Sequence, residues 1–181
     1  MGRPNTKEIL AESFHELAAA KDIDKISIRD IVDNSGYSMA TFYRHFKDKY
    51  DLIMWDYARK ASRISEEMKR DGTILSHVME DGARRFHEGK AYLGNLLLHT
   101  SGRESFVQYM TEVNYRVFLQ QILKDSEPDK TTALLSRTYC LGAVALTCEW
   151  LTGRLDLTVE ELAALYEDAL PQRLRERMTE G

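Results

Sequence analysis

Proline and glycine are scarce in this sequence, 3 Pro and 10 Gly in 181 residues, too few for a turn-rich all-β chain or a collagen-like one. No apolar run approaches the roughly 18–20 residues of a membrane span, so no membrane partner is expected. The opening Met-Gly-Arg-Pro-Asn-Thr lacks the apolar stretch of a secretory signal. It matches an N-myristoylation pattern only formally, because nothing polybasic follows. The expected location is the cytoplasm. Cysteine is almost missing: Cys140 and Cys148 belong to no CxxC pair and no Cys/His cluster. Two small buried thiols in a reduced protein are therefore expected rather than a metal site. GxSxG, HExxH, P-loop and GxGxxG motifs do not occur, so neither an enzyme nor a cofactor is read. An excess of positive charge is lacking too. The 25 Lys+Arg stand against 29 Asp+Glu, a formal net charge of −4, and an acidic chain is a poor general binder of nucleic acid.

What is present is apolar spacing of helical period nearly throughout, in a chain that is 43% hydrophobic and 30% charged, ordinary for a foldable protein. Ile9, Leu10, Phe14, Leu17 and Ala18 form one stripe of a first helix from about Thr6 to Ala20, with Asn5 or Thr6 as N-cap. Ser27 and Asp30 read as a capping box that opens a short helix burying Ile28, Ile31 and Val32. Gly36 takes the positive φ that ends it, and Ser38 caps a third helix reaching about His45. Asp48 caps a long fourth helix to about Arg70. Further helices follow: from about Thr73 to an interruption at Gly89, around Tyr92–Leu98, and through Phe106 to about Asp125. The last two run from about Pro128 to Thr152 and, from the Thr158/Glu161 capping box, to about Leu170. The expected architecture is all-α with about nine helices. Residues 1–50 are expected to form a helix-turn-helix domain and residues 51–181 a second, helical domain.

The segment with chemistry in it is 27–49. Two short helices joined by a tight, Gly-containing turn make a helix-turn-helix, whose second helix fits a major groove about 12 Å wide. Ile31 and Gly36 hold the turn, and Phe42 and Phe46 grip the second helix from inside. Ser38, Met39, Ala40, Thr41, Tyr43, Arg44 and His45 are left outside to meet base edges and phosphates. Lys49, a cation at a helix start with unspent backbone N–H groups, reads as a phosphate clamp. Charge agrees locally: residues 34–50 hold Arg44, Lys47 and Lys49 against Asp48 alone. A positive field confined to the reading head suits sequence-specific recognition.

Ile28-Arg29-Asp30-Ile31, Ser35-Gly36-Tyr37-Ser38, Thr41-Phe42-Tyr43-Arg44-His45-Phe46, and Lys49 with Leu52 resemble the TetR family of bacterial transcription regulators, over about residues 5 to 55. The resemblance implies that Met39, Ala40, Tyr43 and Arg44 read bases or pack on the sugar-phosphate, and that Thr41, Tyr43, His45 and Lys49 contact phosphates. It implies further backbone or base contacts from Ser27 and Arg29, and a basic arm, Arg3, reaching a minor groove. Met39 and Ala40 depart from the polar residues or Gly often found there, which favours apolar contact with a thymine methyl over hydrogen-bonded readout. It also implies a homodimer through the last two long helices, with Gly142, Ala143 and Ala145 allowing close approach and Leu134, Leu141, Leu146 and Leu165 supplying apolar area. Such a dimer, bound to a near-palindromic double-stranded DNA operator, would be a repressor released by a small-molecule or protein effector.

Trp150-Leu151-x-Gly153 followed by Thr158-Val159-Glu160-Glu161-Leu162 is similar to the dihydroxyacetone-kinase operon activator branch of TetR-like proteins, in which an activator or a partner-protein-controlled regulator is the alternative. Tyr92, His99, Phe106, Tyr109, Tyr115 and Trp150 are candidates to line an effector pocket, but aromatics at helical spacing build cores by default. No effector-binding residue is assigned from sequence.

Overall fold

A computed structural model describes residues 5–71, 75–99, 103–123 and 127–179. All its regular elements are helical: α1 (Thr6–Ala18), α2 (Ile28–Ser35), α3 (Met39–His45), α4 (Lys49–Asp71), α5 (Leu75–Glu88), α6 (Lys90–Leu98), α7 (Arg103–Leu123), α8 (Lys130–Leu151), α9 (Val159–Asp168) and α10 (Gln172–Thr179), with one 3-10 turn over Ile23–Lys25. The expected helix start at Thr73 and the Asp125 end lie outside the described residues, as does Arg3.

Helix ends follow local chemistry. Asn5 with Glu8, Ser27 with Asp30, and Thr158 with Glu161 form complete capping boxes on α1, α2 and α9, each satisfying two backbone donors that a helix start leaves unpaired. Asp48 Oδ1 accepts from the N–H groups of Tyr50 and Asp51 at 2.8 and 2.9 Å and so starts α4. Asp129 does the same for α8 through Thr131 and Thr132, both at 3.0 Å. The turn after α2 needs Gly36, whose φ of +71° lies where a side chain strains the backbone.

The tenth helix and the 3-10 turn exceed the sequence expectation. In α10 only Leu174 and Met178 are large apolar groups among Gln, Arg and Glu, too thin a stripe to count on from sequence. Leu174 is nonetheless fully buried, with α10 lying against α7 and α8. Pro171 falls between α9 and α10, where its missing N–H costs the helices nothing.

The head is built on α1, which packs against both α2 and α4. Leu10 and Phe14 of α1, Ile31 of α2, Phe42 of α3 and Leu52 of α4 are all at 0% exposure. Burying one such side chain contributes about 1.5–3 kcal/mol, so this small core holds α3 in place. Behind it, α4 runs on to pack against α7, α7 lies on α8, α5 on α9, and α6 bridges α1, α5, α7 and α8. Gly94 permits the α6–α8 approach, for a Cβ there would stand 3.3 Å from the Leu151 carbonyl oxygen. No described helix is long and apolar enough to cross a membrane. Cys140 and Cys148 are buried and not disulfide-bonded, and burial pushes the Cys140 thiol up to about 12.

Candidate nucleic-acid interface

Positions 39, 40, 43 and 44 share one face of α3 by the helical period, and all four are exposed. Met39 is 36% and Tyr43 55% accessible, against 0% for Phe42 and 3% for Phe46 on the opposite side. The grip from behind is an aromatic chain. The rings of Phe42 and Phe46 are 5.7 Å apart, and Phe46 meets Trp55 of α4 edge-on at 5.7 Å. The Lys7 ammonium stands 5.3 Å above both Phe46 and Trp55, a cation–π contact joining the start of α1 to the base of α3. Phe42 also supports Tyr43, ring edge to ring face at 5.7 Å, so the exposed phenol is held by its neighbour.

Several expected contact residues already serve the fold. The Ser38 hydroxyl accepts from the Thr41 N–H at 3.1 Å and lies 3.0 Å from the Thr41 hydroxyl. Ser27 Oγ donates to Asp30 at 2.8 Å while accepting from its N–H. The Ser27 N–H, donating to the Asp30 carboxylate at 2.8 Å, and then the Ser27 hydroxyl hold that carboxyl below its usual range. Both serines are exposed, as is Arg29 in the first turn of α2, and His45 is half-buried beside Phe46.

The Lys49 ammonium, expected to clamp a phosphate, is turned toward the protein's own backbone. It donates to the carbonyl oxygens of Ile23, Asp24 and Ile26 at 2.7, 3.1 and 2.9 Å. Three donors on three acceptors exhaust the group, and burial draws its pKa down from the usual lysine value against the pull of Asp24. Lys49 is the tie that fastens the 3-10 turn to the start of α4. The neighbouring N–H groups of Tyr50 and Asp51 are likewise spent, on Asp48. The contact joins residues more than 20 positions apart, so local sequence could not show it. Without Lys49, the exposed cations around the flank are Arg29, Arg44 and Lys47.

Sequence reasoning also missed the joint between head and body. Asn95 of α6 donates to the carbonyls of Ala18 and Lys21, both at 2.8 Å, and accepts from the Ile23 N–H at 3.2 Å, so it caps the C-terminal end of α1 from another helix. One signal was available: Asn95 is the only polar side chain in the run Leu93–Leu98. Nearby, Tyr92 stacks on His15 of α1, centroids 4.2 Å apart and planes at 28°.

Of the aromatics considered for a pocket, Tyr92 and Phe106 line a cavity of about 650 Å³ behind the head. Trp150 is core, 2% exposed with its indole N–H on the Leu157 carbonyl at 2.8 Å. Tyr115 faces the Arg137 guanidinium, and His99 is half-exposed.

A three-helix head that shows a polar and aromatic flank of its third helix defines the helix-turn-helix class of DNA-binding proteins. Residues 12–54, which span most of the head, match the family model described as bacterial regulatory proteins, tetR family. An uncharacterised HTH-type transcriptional regulator of Haemophilus influenzae is 22% identical over 134 residues, 72% of this chain and 57% of the relative's length. The chain thus covers little more than half of that relative. Among solved structures, the dihydroxyacetone kinase operon activator DhaS superposes with a TM-score of 0.65 at 16% identity, covering 96% of each chain. A TetR transcriptional regulator from Streptococcus agalactiae gives 0.61 at 18% identity, over 92% of this chain and 94% of the other. At such identities the structures share the fold.

Proposed function

We propose that the protein is a sequence-specific transcriptional regulator that binds a near-palindromic operator as a homodimer and is a repressor released by an effector. The observation that carries the DNA-binding reading is the α3 flank, where Met39, Ala40, Tyr43 and Arg44 stand outward on a helix fixed by Phe42 and Phe46. Arg44 and Arg29 read base edges. Tyr43, Thr41 and His45 meet the sugar-phosphate, where Ser27 and Ser38 add exposed hydroxyls. Arg3 supplies a minor-groove arm. Met39 and Ala40 offer methyl-sized apolar contact to thymine. Lys49 acts from behind, by fixing the height of α4 against the turn.

Dimerisation is supported by a second exposed face. Leu134, Leu141 and Leu165 are 56%, 52% and 42% accessible, and Gly142 and Ala145 lie beside Leu141 on the outer side of α8. Apolar side chains gathered on α8 and α9 fit a second copy of this chain, and a single head buries too little surface for tight specific binding. A two-fold pair sets its reading helices about 34–36 Å apart, one turn of DNA. Control by a partner protein is the alternative reading; the largely apolar cavity behind the head favours a small-molecule effector.

The test is selection of duplexes from a random library, followed by sedimentation of the complex. The reading expects a selected palindrome bound by two chains, and Leu141→Glu to yield monomers that no longer select it. A chain that enriches no sequence refutes it.

A further inference from the structure

The cavity's lining is largely apolar, with Ile53, Phe86, Leu96, Phe106, Val117 and Val144 among its walls. Its volume, about 650 Å³, lies within the range of pockets that enclose a small ligand. The polar groups in this wall separate into satisfied and unsatisfied. The Tyr57 hydroxyl accepts from Asn114 at 2.6 Å, that of Tyr139 donates to the Tyr166 carbonyl at 2.9 Å, and that of Tyr166 lies 2.5 Å from Thr147 Oγ1. Two donors of this wall are buried without a hydrogen-bond partner, the Tyr92 hydroxyl and the Arg59 Nε–H. A buried O–H in that state is costly unless something binds it. Burial, then the charge of Asp56, push this phenol well above its usual range, so it remains an O–H donor.

The charges at this end of the cavity are already matched. Asp56, 2% exposed, accepts from His15 and Lys60 at 2.9 Å each and from Arg59 at 3.0 Å. Burial raises its pKa, but these partners outweigh burial and hold it well below the usual carboxylate value. Arg59 also holds Glu8 at 2.8 Å, and Arg63 and Arg85 are engaged as well. His15, Arg59 and Lys60 each already face a carboxylate, and burying an uncompensated charge is strongly unfavourable.

We propose that this cavity takes an uncharged, mostly apolar small molecule carrying an oxygen acceptor of the carbonyl type, which accepts a hydrogen bond from Tyr92, and that α6 carries its presence to the head. The assignment rests on the effector-controlled reading above and names the ligand's chemistry. The path is short. The Tyr92 ring that holds the ligand stacks on His15 of α1, with Phe14 edge-on at 6.1 Å. One turn further along α6, Asn95 caps the end of the same α1. A ligand that draws Tyr92 into the cavity therefore pulls on the helix to which α2 is packed.

The experiment titrates the full chain calorimetrically with two neutral ketones, benzophenone and 2-undecanone. Each is paired with its hydrocarbon (diphenylmethane, undecane) and with an acid of the same skeleton (2-benzoylbenzoate, undecanoate). At least one ketone is expected to bind about tenfold more tightly than its hydrocarbon and more tightly than its acid. Tyr92→Phe keeps the ring on His15; it should erase the ketone's tenfold advantage and leave hydrocarbon binding unchanged. In the wild type, ketone should also shift the His15 ring resonances. Failure of both ketones to bind, tightest binding by an acid, or indifference to Tyr92→Phe would overturn the assignment. Duplex selection on the same preparation separates the two readings. Selection without ketone binding removes only the ligand assignment, and ketone binding through Tyr92 without selection removes only the regulator reading.

Discussion

The head and the body of this protein use their interiors in opposite ways. In the head, α1 to α3 close on a core with Leu10, Phe14, Ile31 and Phe42 at 0% exposure, and the chemistry faces outward along α3. In the body, the helices line a cavity with Tyr92, whose buried hydroxyl has no partner, among its walls, while Leu134 and Leu141 of α8 face solvent. A tightly filled head suits a part that must hold its side chains in fixed register on a duplex. A body with space inside and apolar surface outside suits a part whose shape depends on what it binds.

That contrast can be broken most severely at Phe42. Phe42→Ala should destabilise the head by about 3–5 kcal/mol, through lost burial and a cavity that α3 cannot close, read as an earlier unfolding transition in denaturant. A comparable truncation at Phe106, on the cavity wall, should cost less because the site already contains space. Next comes Lys49→Met. Removing three charge-assisted hydrogen bonds should cost about 2 kcal/mol of head stability without changing the salt dependence of DNA binding. A slope reduced by about one unit would return Lys49 to the phosphates.

Arg44→Ala and Arg29→Ala should leave stability alone and relax preference at single base pairs, by about 1–3 kcal/mol each if the contact is bidentate, measured against an operator library. The smallest effect lies in the body. Asp129 caps α8 and holds Arg173 and Arg177, both at 3.2 Å. Hydrogen bonds from Thr132, with the Arg173 charge, lower its pKa to about 2 from the ordinary 3.8. A carboxyl depressed on folding lends stability above the unfolded value and loses it as pH falls toward the folded one. Amide exchange in α10 should therefore accelerate between about pH 4 and pH 2, and Asp129→Asn should remove much of that change.

The same division explains what could be read from sequence. Head signals are local: Ser27 to Asp30, Gly36, Ser38 to Thr41, and Phe42 to Phe46 each lie within four residues of their partners, so the turn, the caps and the inward pair were legible. The Lys49 contacts are not legible because its carbonyls belong to a turn more than 20 residues earlier, and those of Asn95 because its three partners lie over 70 positions away. In the body, helices were legible from periodicity but not their neighbours. Tyr92, Phe106 and Trp150 are all aromatics in apolar stretches, and only packing decides that the first two border a cavity while the third is core. The tenth helix is not legible because an octet that is half charged becomes a helix when Leu174 finds a place to bury.

The central claim is that the outer flank of α3 meets the duplex while its inner flank holds it there. The most direct measurement is binding of wild type, Tyr43→Ala and Arg44→Ala to a selected operator and to scrambled DNA across a salt series. The account predicts that Tyr43→Ala weakens both duplexes alike and that Arg44→Ala narrows the gap between them, with both variants folded as the wild type is. Unchanged affinity and unchanged discrimination in both would contradict it.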